Sequence, residues 1–250
     1  MDITLVVPAA GRGSRLLGAT NQFPKCMIGV RGIPLLQYVL DVGLELPIQR
    51  IVIVISPEGD AVRRHFGESY RGVPVHYAIQ PEPLGLAHAV SMSEPFVSDW
   101  LLVVNGDEIF SNCRHGRMMA FVERNQADGL VGYIHTPEPR RIQIGYGMTM
   151  AEEGRVKTLI EKPKAVWNDV LGVGTWLHRA DFFDYFRRTP LHPVRRERDF
   201  VQVVQLMADD GQRIYGFDLE GDFFNINTPE DLQTAEAALG RGAAAFSMAG

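Results

Sequence analysis

The first hundred residues alternate two kinds of segment, and that alternation restricts the fold more than any other feature. "ITLVVPA", "RIVIVIS", "VPVHYAI" and "WLLVVNGD" are short, apolar and rich in β-branched residues, as strands covered on both faces must be. Between them, Pro34 to Leu46, Gly59 to Phe66 and Leu84 to Glu94 carry helical spacing or helix-favouring residues. Pro34 suits a first helical turn, where its missing N–H has no partner anyway. This order predicts a mainly parallel α/β sheet with helices on both faces.

The second half is less regular. Residues 129–135, 142–150, 155–160 and 170–178 read as strands, and 197–210 and 229–239 as helices, with Pro137, Pro139, Pro163, Pro190 and Pro193 marking loops. A single domain over 1–240 is expected, in which 126–240 continues the sheet begun by 1–125 and adds a substrate-facing lobe. The small-residue end "GRGAAAFSMAG" predicts a frayed tail over 241–250. The chain leaves no room beyond that tail for an appended acetyltransferase-type domain, and none is expected.

Bulk properties exclude several partners. The formal charge of −5 lacks the basic footprint of a nucleic-acid binder. The opening apolar run, Ile3 to Ala10, has no cationic segment before it and is too short to span a membrane. Cys26 and Cys113 stand in neither metal-like nor redox spacing, so a reducing, cytoplasmic location is expected.

Three stretches carry candidate chemistry. In "VVPAAGRGSRLLGATNQFPK", a strand runs into a loop whose backbone N–H groups would project beyond its carboxyl end, where open α/β sheets bind ligands. At Ala10, Gly11 and Gly13 the backbone could approach an anion closely. Arg15 could fork onto phosphate oxygens, and Lys25 adds a compact charge. The loop is neither a Walker A motif nor the dinucleotide fingerprint, whose third glycine is replaced by Leu16. A plain strand–helix turn with surface cations fits the loop equally well. The second stretch, "NGDEIF", puts Asp107 at a strand's carboxyl end, where it could hold Mg²⁺ against phosphates; a simple turn is the alternative. In the third, "QPEPLGLAHAV", the Gln80 amide has the donor and acceptor needed to read a base edge, and Gly85 allows a flat ring to approach. A helix-capping loop reads the same way, with His88 on a helix.

Taken together, "PAAGRGSRL", "FPK", "QPEPLGLAHAV", "NGD", "GYG", "EKPK" and "NINTPEDL" resemble the sugar-1-phosphate nucleotidylyltransferases, or sugar-nucleotide pyrophosphorylases. The motifs stand in the family's order from about residue 3 to 239. The resemblance implies a Rossmann-like mixed sheet and the conversion of an NTP and a sugar 1-phosphate into an NDP-sugar and pyrophosphate, with Mg²⁺. It implies a nucleotide-binding half over 1–125 and a sugar-binding half over 126–240. It further implies that Ala10, Gly11, Gly13 and Arg15 cover the triphosphate, that Lys25 acts at the phosphates, and that Gln80 and Gly85 read the base. Asp107 would hold the metal. Gly147 and Glu161 would contact the sugar, Lys162 its phosphate, and Val170 and Gly172 would wall the pocket. Such proteins are often homo-oligomers.

One departure is informative. Many members have W-x-D-x-G-T-P near the end, with the aspartate as second metal ligand, whereas "FFNINTP" puts Asn225 there and Asn227 in place of the glycine. Asparagine offers a carbonyl oxygen without the charge. The uridylyltransferase domain of N-acetylglucosamine-1-phosphate enzymes resembles this chain in using an asparagine and in "GLAHAV". The implied reaction needs no general base, because a phosphate monoester is already largely dianionic at neutral pH. Its demands are neutralised repulsion and held attack geometry. Gln80 points to UTP or dTTP.

Other readings share parts of the pattern. A glycosyltransferase of related fold would carry an Asp-x-Asp motif, whereas Glu108 and Ile109 follow Asp107. A cytidylyltransferase for phosphocholine would need an aromatic and acidic cage. A non-catalytic nucleotide-sugar-binding regulator could forgo both lysines and Asp107. The basic run "RRTPLHPVRRERDF" reads as a solvated loop or part of a sugar-phosphate entrance. "DFFDYF" and Trp176 read as core.

Overall fold

The computed structural model describes residues 1–11 and 24–247, with side chains through residue 240. In chain order its strands are β1 (Ile3–Pro8), β2 (Gly29–Val30), β3 (Ile33–Pro34), β4 (Ile48–Ile55), β5 (Ser69–Tyr70), β6 (Val73–Ile79), β7 (Trp100–Val104), β8 (Glu108–Ser111), β9 (Gly129–His135), β10 (Tyr146–Met150), β11 (Val156–Glu161), β12 (Val170–Arg179), β13 (Ile214–Asp218) and β14 (Asp222–Asn225). Among the described residues ten of these join in one sheet, in the order β11-β10-β12-β7-β1-β4-β6-β5, with β9 added to β12 and β13 to β9.

The apolar runs form this sheet's centre because both of its faces are covered. In β1, Leu5 and Val7 pack into one core with Ile53 and Leu102, while Val6 packs into the other with Val52 and Val103. The register is in step, with Val6 opposite Val52 on β4 and Val103 on β7, both parallel. The helix Leu35–Gly43 closes the first face through Leu36, Val39 and Leu40. The helices Gly85–Ser91 and Phe200–Asp209 close the second through Ala87, Val90, Val203 and Val204. Covering both faces lets every strand residue be apolar, which is why these runs lack polar alternation.

Strand β12 organises the second half. One side pairs antiparallel with β9. The other pairs with β10 near its start (Gly172 opposite Tyr146) and with β7 from Thr175 onward (Thr175 opposite Val104). Its neighbour therefore changes at Val173 and Gly174. A cavity lies beyond the carboxyl ends of β1 and β4, lined by Ala9, Ala10, Gly11, Pro24, Ser56, Glu58 and Gly59. That is where open α/β sheets take ligands.

Several elements differ from the sequence expectation. The run 142–150 is not one strand: the short helix Pro139–Ile144 occupies its beginning, with proline in the first turn, and β10 starts only at Tyr146. "DFFDYF" is the helix Phe182–Arg188, with Phe182 and Phe183 buried as expected of core residues. The helix Met118–Asn125, strand β13 and the two-stranded β8–β14 ladder carry too little local pattern to be anticipated. The helix expected at 229–239 spans Pro229–Ser247, entering the stretch read as a tail; residues 248–250 lie outside the described residues. Among the described residues no helix is long and apolar enough to cross a membrane.

Candidate active site

The end expected to hold the metal is built from side chains on three separate pieces of chain. Lys25 opens a single 3₁₀ turn, Lys25–Met27, whose first N–H donates to the Gly11 carbonyl at 3.3 Å. Cys26 behind it is buried, and burial pushes its thiol up to about 12. The Lys25 ammonium lies 2.6 Å from Asp107 Oδ2 and donates to Asn227 Oδ1 at 2.9 Å. Asn227 Nδ2 in turn donates to Asn225 Oδ1 at 2.6 Å.

Local chemistry fixes each piece. Asp107 follows β7 in the N-G-D turn, and its carbonyl accepts from Ile226 N at 2.9 Å. The β8–β14 ladder sets Asn225 opposite Glu108. Asn227 precedes a capping box: Thr228 N donates to Asp231 Oδ2 at 2.8 Å, and Asp231 N donates to Thr228 Oγ1 at 3.2 Å. That reciprocal pair, with Pro229 in the first turn, starts the last helix and holds Asn227 where its amide reaches both neighbours. Glu108 is buried; loss of water, and then the negative Asp107 beside it, push its carboxyl well above the usual carboxylate range.

The donor set suits a hard divalent cation. It offers the Asp107 carboxylate and the amide oxygens of Asn225 and Asn227, and a positive charge from Lys25 already sits between Asp107 and Asn227. Among the described residues no group of three His, Cys, Asp or Glu side chains could enclose a metal by itself. Substrate oxygens would have to complete any shell, as is usual for magnesium at phosphates.

The base-reading stretch is ordered by Gln80. Its backbone N–H donates to the Ile55 carbonyl at 2.9 Å. Its Nε2 donates to the Gly85 carbonyl at 3.1 Å and lies 3.1 Å from His88 Nδ1. A carbonyl can only accept, so the Gly85 oxygen fixes which way the amide faces. His88 Nδ1 then accepts the second N–H, and Oε1 is left to accept from elsewhere. Gly85 has φ +86°, and a Cβ there would come within 2.6 Å of Glu197 Oε2. The positive φ favours glycine, and any side chain there would also have to displace the Glu197 carboxylate.

At the end expected to take the sugar, β10 and β11 pair Tyr146 with Glu161 and Gly147 with Ile160. The chain then turns at Lys162, φ +47°, whose N–H donates to the Gly145 carbonyl at 2.8 Å. Glu161 Oε1 lies 3.3 Å from Lys162 Nζ and 3.0 Å from Arg195 Nη1. Arg195 also pairs with Asp199, and its Nε lies 3.1 Å from Glu197 Oε1. Burial opposes the Glu161 charge, but the Arg195 hydrogen bonds and charge, with help from Lys162, outweigh it and hold the carboxyl below the usual range.

The structure thus brings Lys25, Asp107, Asn225 and Asn227 together at one end, Gln80, Gly85 and His88 at a second, and Glu161, Lys162 and Arg195 at a third. Gly11 and Ala10 line the cavity beside β1. Gly13 and Arg15 lie outside the described residues. Val170 is buried in the core, and Gly172 sits under the Tyr146 ring, where any Cβ would collide with it. Trp176 stacks on the Tyr146 ring, with centroids 4.9 Å apart, and is core. Sequence reasoning missed the roles of Glu108, Asn227 and Arg195 in these networks. The dense charge alternation "RRERD" was the one available signal for the last.

Comparisons with known proteins are consistent along the whole chain. A family model described as Nucleotidyl transferase matches residues 5–241. The chain is 30% identical over 238 residues to the UTP–glucose-1-phosphate uridylyltransferase AglF of Haloferax volcanii, covering 94% of this chain and 95% of that protein. It is 27% identical to the bifunctional protein GlmU of Methanococcus maripaludis over 92% of this chain, which corresponds to 53% of that longer protein. A solved structure of UDP-glucose pyrophosphorylase complexed with UDP-glucose superposes with a TM-score of 0.86 at 20% identity, covering 97% of this chain and 100% of that one.

Proposed function

The chain belongs to the nucleotidyl transferase family, and from that premise we propose that it joins an NTP to a sugar 1-phosphate, releasing pyrophosphate. UTP is the proposed nucleotide and a glucose-type 1-phosphate the proposed acceptor. The observation that carries this reading is the Lys25–Asp107 ion pair at the carboxyl ends of β1 and β7: it sets a cation and a metal-type carboxylate beside the cavity lined by Ala10 and Gly11.

The acceptor's phosphate oxygen is anionic at neutral pH, so the chain's work is electrostatic and geometric. Gln80 holds the base: with both amide N–H groups engaged by Gly85 and His88, its oxygen accepts the N3–H of uracil or thymine. Gly11 serves the triphosphate, the role that the resemblance also implies for Gly13 and Arg15. Lys25, held between Asp107 and Asn227, offsets charge gathering on the phosphates in the in-line displacement. Lys162 holds the acceptor's phosphate and Glu161 its hydroxyls, with Gly147, Val170 and Gly172 forming the wall behind. Asp107, with Asn225 and Asn227, would hold Mg²⁺, which when bound neutralises phosphate charge and polarises the attacked phosphorus. Residues 1–125 supply the nucleotide side and 126–240 the sugar side, apart from Asn225 and Asn227, which reach back to the metal end.

The test is pyrophosphate release with Mg²⁺ across UTP, dTTP, CTP, GTP and ATP against several sugar 1-phosphates and phosphocholine. Release with UTP and a hexose 1-phosphate is expected. Release with CTP and phosphocholine alone would replace the sugar reading, and binding of nucleotide without release from any pair would replace the enzyme.

A further inference from the structure

Glu108 touches no proposed substrate or metal, yet its carboxyl is among the most deeply buried acidic side chains of the described residues, 4% exposed. We propose that Glu108 is a positioning residue, whose carboxyl group ties the turn carrying Asp107 to β12 and so aims the proposed metal carboxylate from the strand that also backs the proposed sugar end. The inference rests on the reading of Asp107 given above.

Three bonds make the tie. Glu108 Oε2 accepts from Gly174 N at 2.8 Å, and Glu108 Oε1 accepts from Asn105 Nδ2 at 3.0 Å. Asn105 N donates back to the Gly174 carbonyl at 2.9 Å. Residues 105–108 therefore close on a single residue of β12, at the point where that strand has left β10 and not yet met β7. No regular ladder is available there, and side chains take over the work of the missing strand pairing. Space enforces the arrangement, since a Cβ on Gly174 would lie 2.1 Å from Asn105 Nδ2 and 2.6 Å from Glu108 Oε2.

Simple packing would not select a carboxyl group here. An apolar side chain would fill the volume without the cost of burying a polar group, but would leave the Gly174 N–H and the Asn105 amide buried and unpaired. Glu108 also stands opposite Asn225 in the β8–β14 ladder. Its backbone thus places Asn225 while its side chain fixes the Asp107 turn, so one residue sets the spacing of two candidate metal oxygens.

Glu108→Ala, Glu108→Gln and Asn105→Ala test this, with Val122→Ala in the helix Met118–Asn125 as a core control. Glutamine can still accept from Gly174, and Asn105 Oδ1, which has no partner now, can accept from the new amide once Asn105 turns over. In Glu108→Ala, kcat is expected to fall about thirtyfold and the Mg²⁺ needed for half-maximal rate to rise about tenfold, with the nucleotide KM within about threefold. Glu108→Gln should stay within about threefold of wild type in all three. Asn105→Ala should repeat the pattern more weakly, and it carries the test if Glu108→Ala fails to fold.

A second readout needs no turnover: the rise in melting temperature that Mn²⁺ gives the substrate-free protein. It should be present in wild type and Glu108→Gln and reduced in Glu108→Ala and Asn105→Ala. Equal rises in all variants, no rise in wild type, a Glu108→Gln as impaired as Glu108→Ala, or a Val122→Ala control that loses kcat and Mg²⁺ response alike would each overturn the proposal. Silence of wild type in the pyrophosphate assay with the Mn²⁺ pattern intact would instead remove the proposed function and leave Glu108 as the tie that aims Asp107.

Discussion

The proposed metal end and the proposed sugar end use the same kinds of side chain in opposite ways. At the metal end Lys25 is 12% exposed and bonded to two partners that are themselves fixed, Asp107 by a strand-end turn and Asn227 by a capping box. At the sugar end Lys162 is 59% exposed, and Glu161 shares its charge among Lys162 and Arg195 on solvent-facing loops. The first constellation is set before any substrate arrives. The second is a self-neutralised network that a substrate must pull apart. Preorganised groups act on the barrier, whereas groups that trade internal partners for substrate act on binding. The two ends should therefore fail differently when mutated.

The largest effect tests the rigid end directly. Asp107→Ala is expected to lower Mg²⁺-dependent turnover by about a thousandfold, because it removes the only charged oxygen of the donor set. Turnover near wild type would move the metal elsewhere and dissolve the contrast. Next come the two lysines. Lys25→Ala should lower kcat about a hundredfold with both KM values within about threefold, and Lys162→Ala should raise the sugar-phosphate KM about tenfold with a smaller loss of kcat. If both variants lost only kcat, the difference in rigidity would have no catalytic meaning.

Acid separates the two regions through stability. His115 and His178 flank the change of partner on β12: His115 Nε2 lies 3.1 Å from Thr175 Oγ1, and His178 is on the strand itself with neither ring nitrogen bonded. Burial alone lowers each imidazole from 6.5 to about 3. The unfolded chain binds protons that the folded one refuses, so stability present above pH 6.5 is lost as pH falls toward 3, by about 2 kcal/mol per histidine at pH 5. Glu161 works in a separate window: its carboxyl is held below 4.5, so its contribution persists to lower pH, and solvent makes it small. Urea unfolding at pH 7.5 and pH 5 should show His178→Leu losing about 2 kcal/mol less on acidification than wild type. An equal loss would place the acid sensitivity outside β12.

The contrast also explains what was legible in the sequence. The parallel centre was readable because β1, β4 and β7 are covered on both faces, which imprints continuous apolar runs. Asp107 and Lys25 were readable because a strand end and a proline-lysine pair mark them. The ladder β8–β14 was not, since four residues a side leave no periodicity, and so neither was the nearness of Asn227 to Lys25, 202 residues apart in the chain. Nothing in the local pattern marked Glu108 as buried; its burial depends on Gly174, which no local pattern connects to it. The network around Arg195 was hidden for the opposite reason, because charge-rich stretches usually are solvated.

Arg195 gives the smallest and most discriminating effect. Its guanidinium joins Glu161, Glu197 and Asp199, and Glu197 also presses on Gly85, so one loop touches the base-reading turn and the sugar end together. Arg195→Ala frees Glu161 and leaves Lys162 as its remaining cation. Because Arg195 and Glu161 each keep about a third of the side chain exposed, the sugar-phosphate KM is expected to rise only about threefold to fivefold, and the effect should shrink as salt rises from low to 0.5 M. Arg195→Lys should not restore it, since a point charge cannot hold both oxygens of Glu161 and reach Asp199 at once. Substrate KM values measured in low and high salt decide the matter. A large, salt-independent loss of kcat would mean that Arg195 is as firmly built as Lys25, and that the sugar end is not the adjustable one.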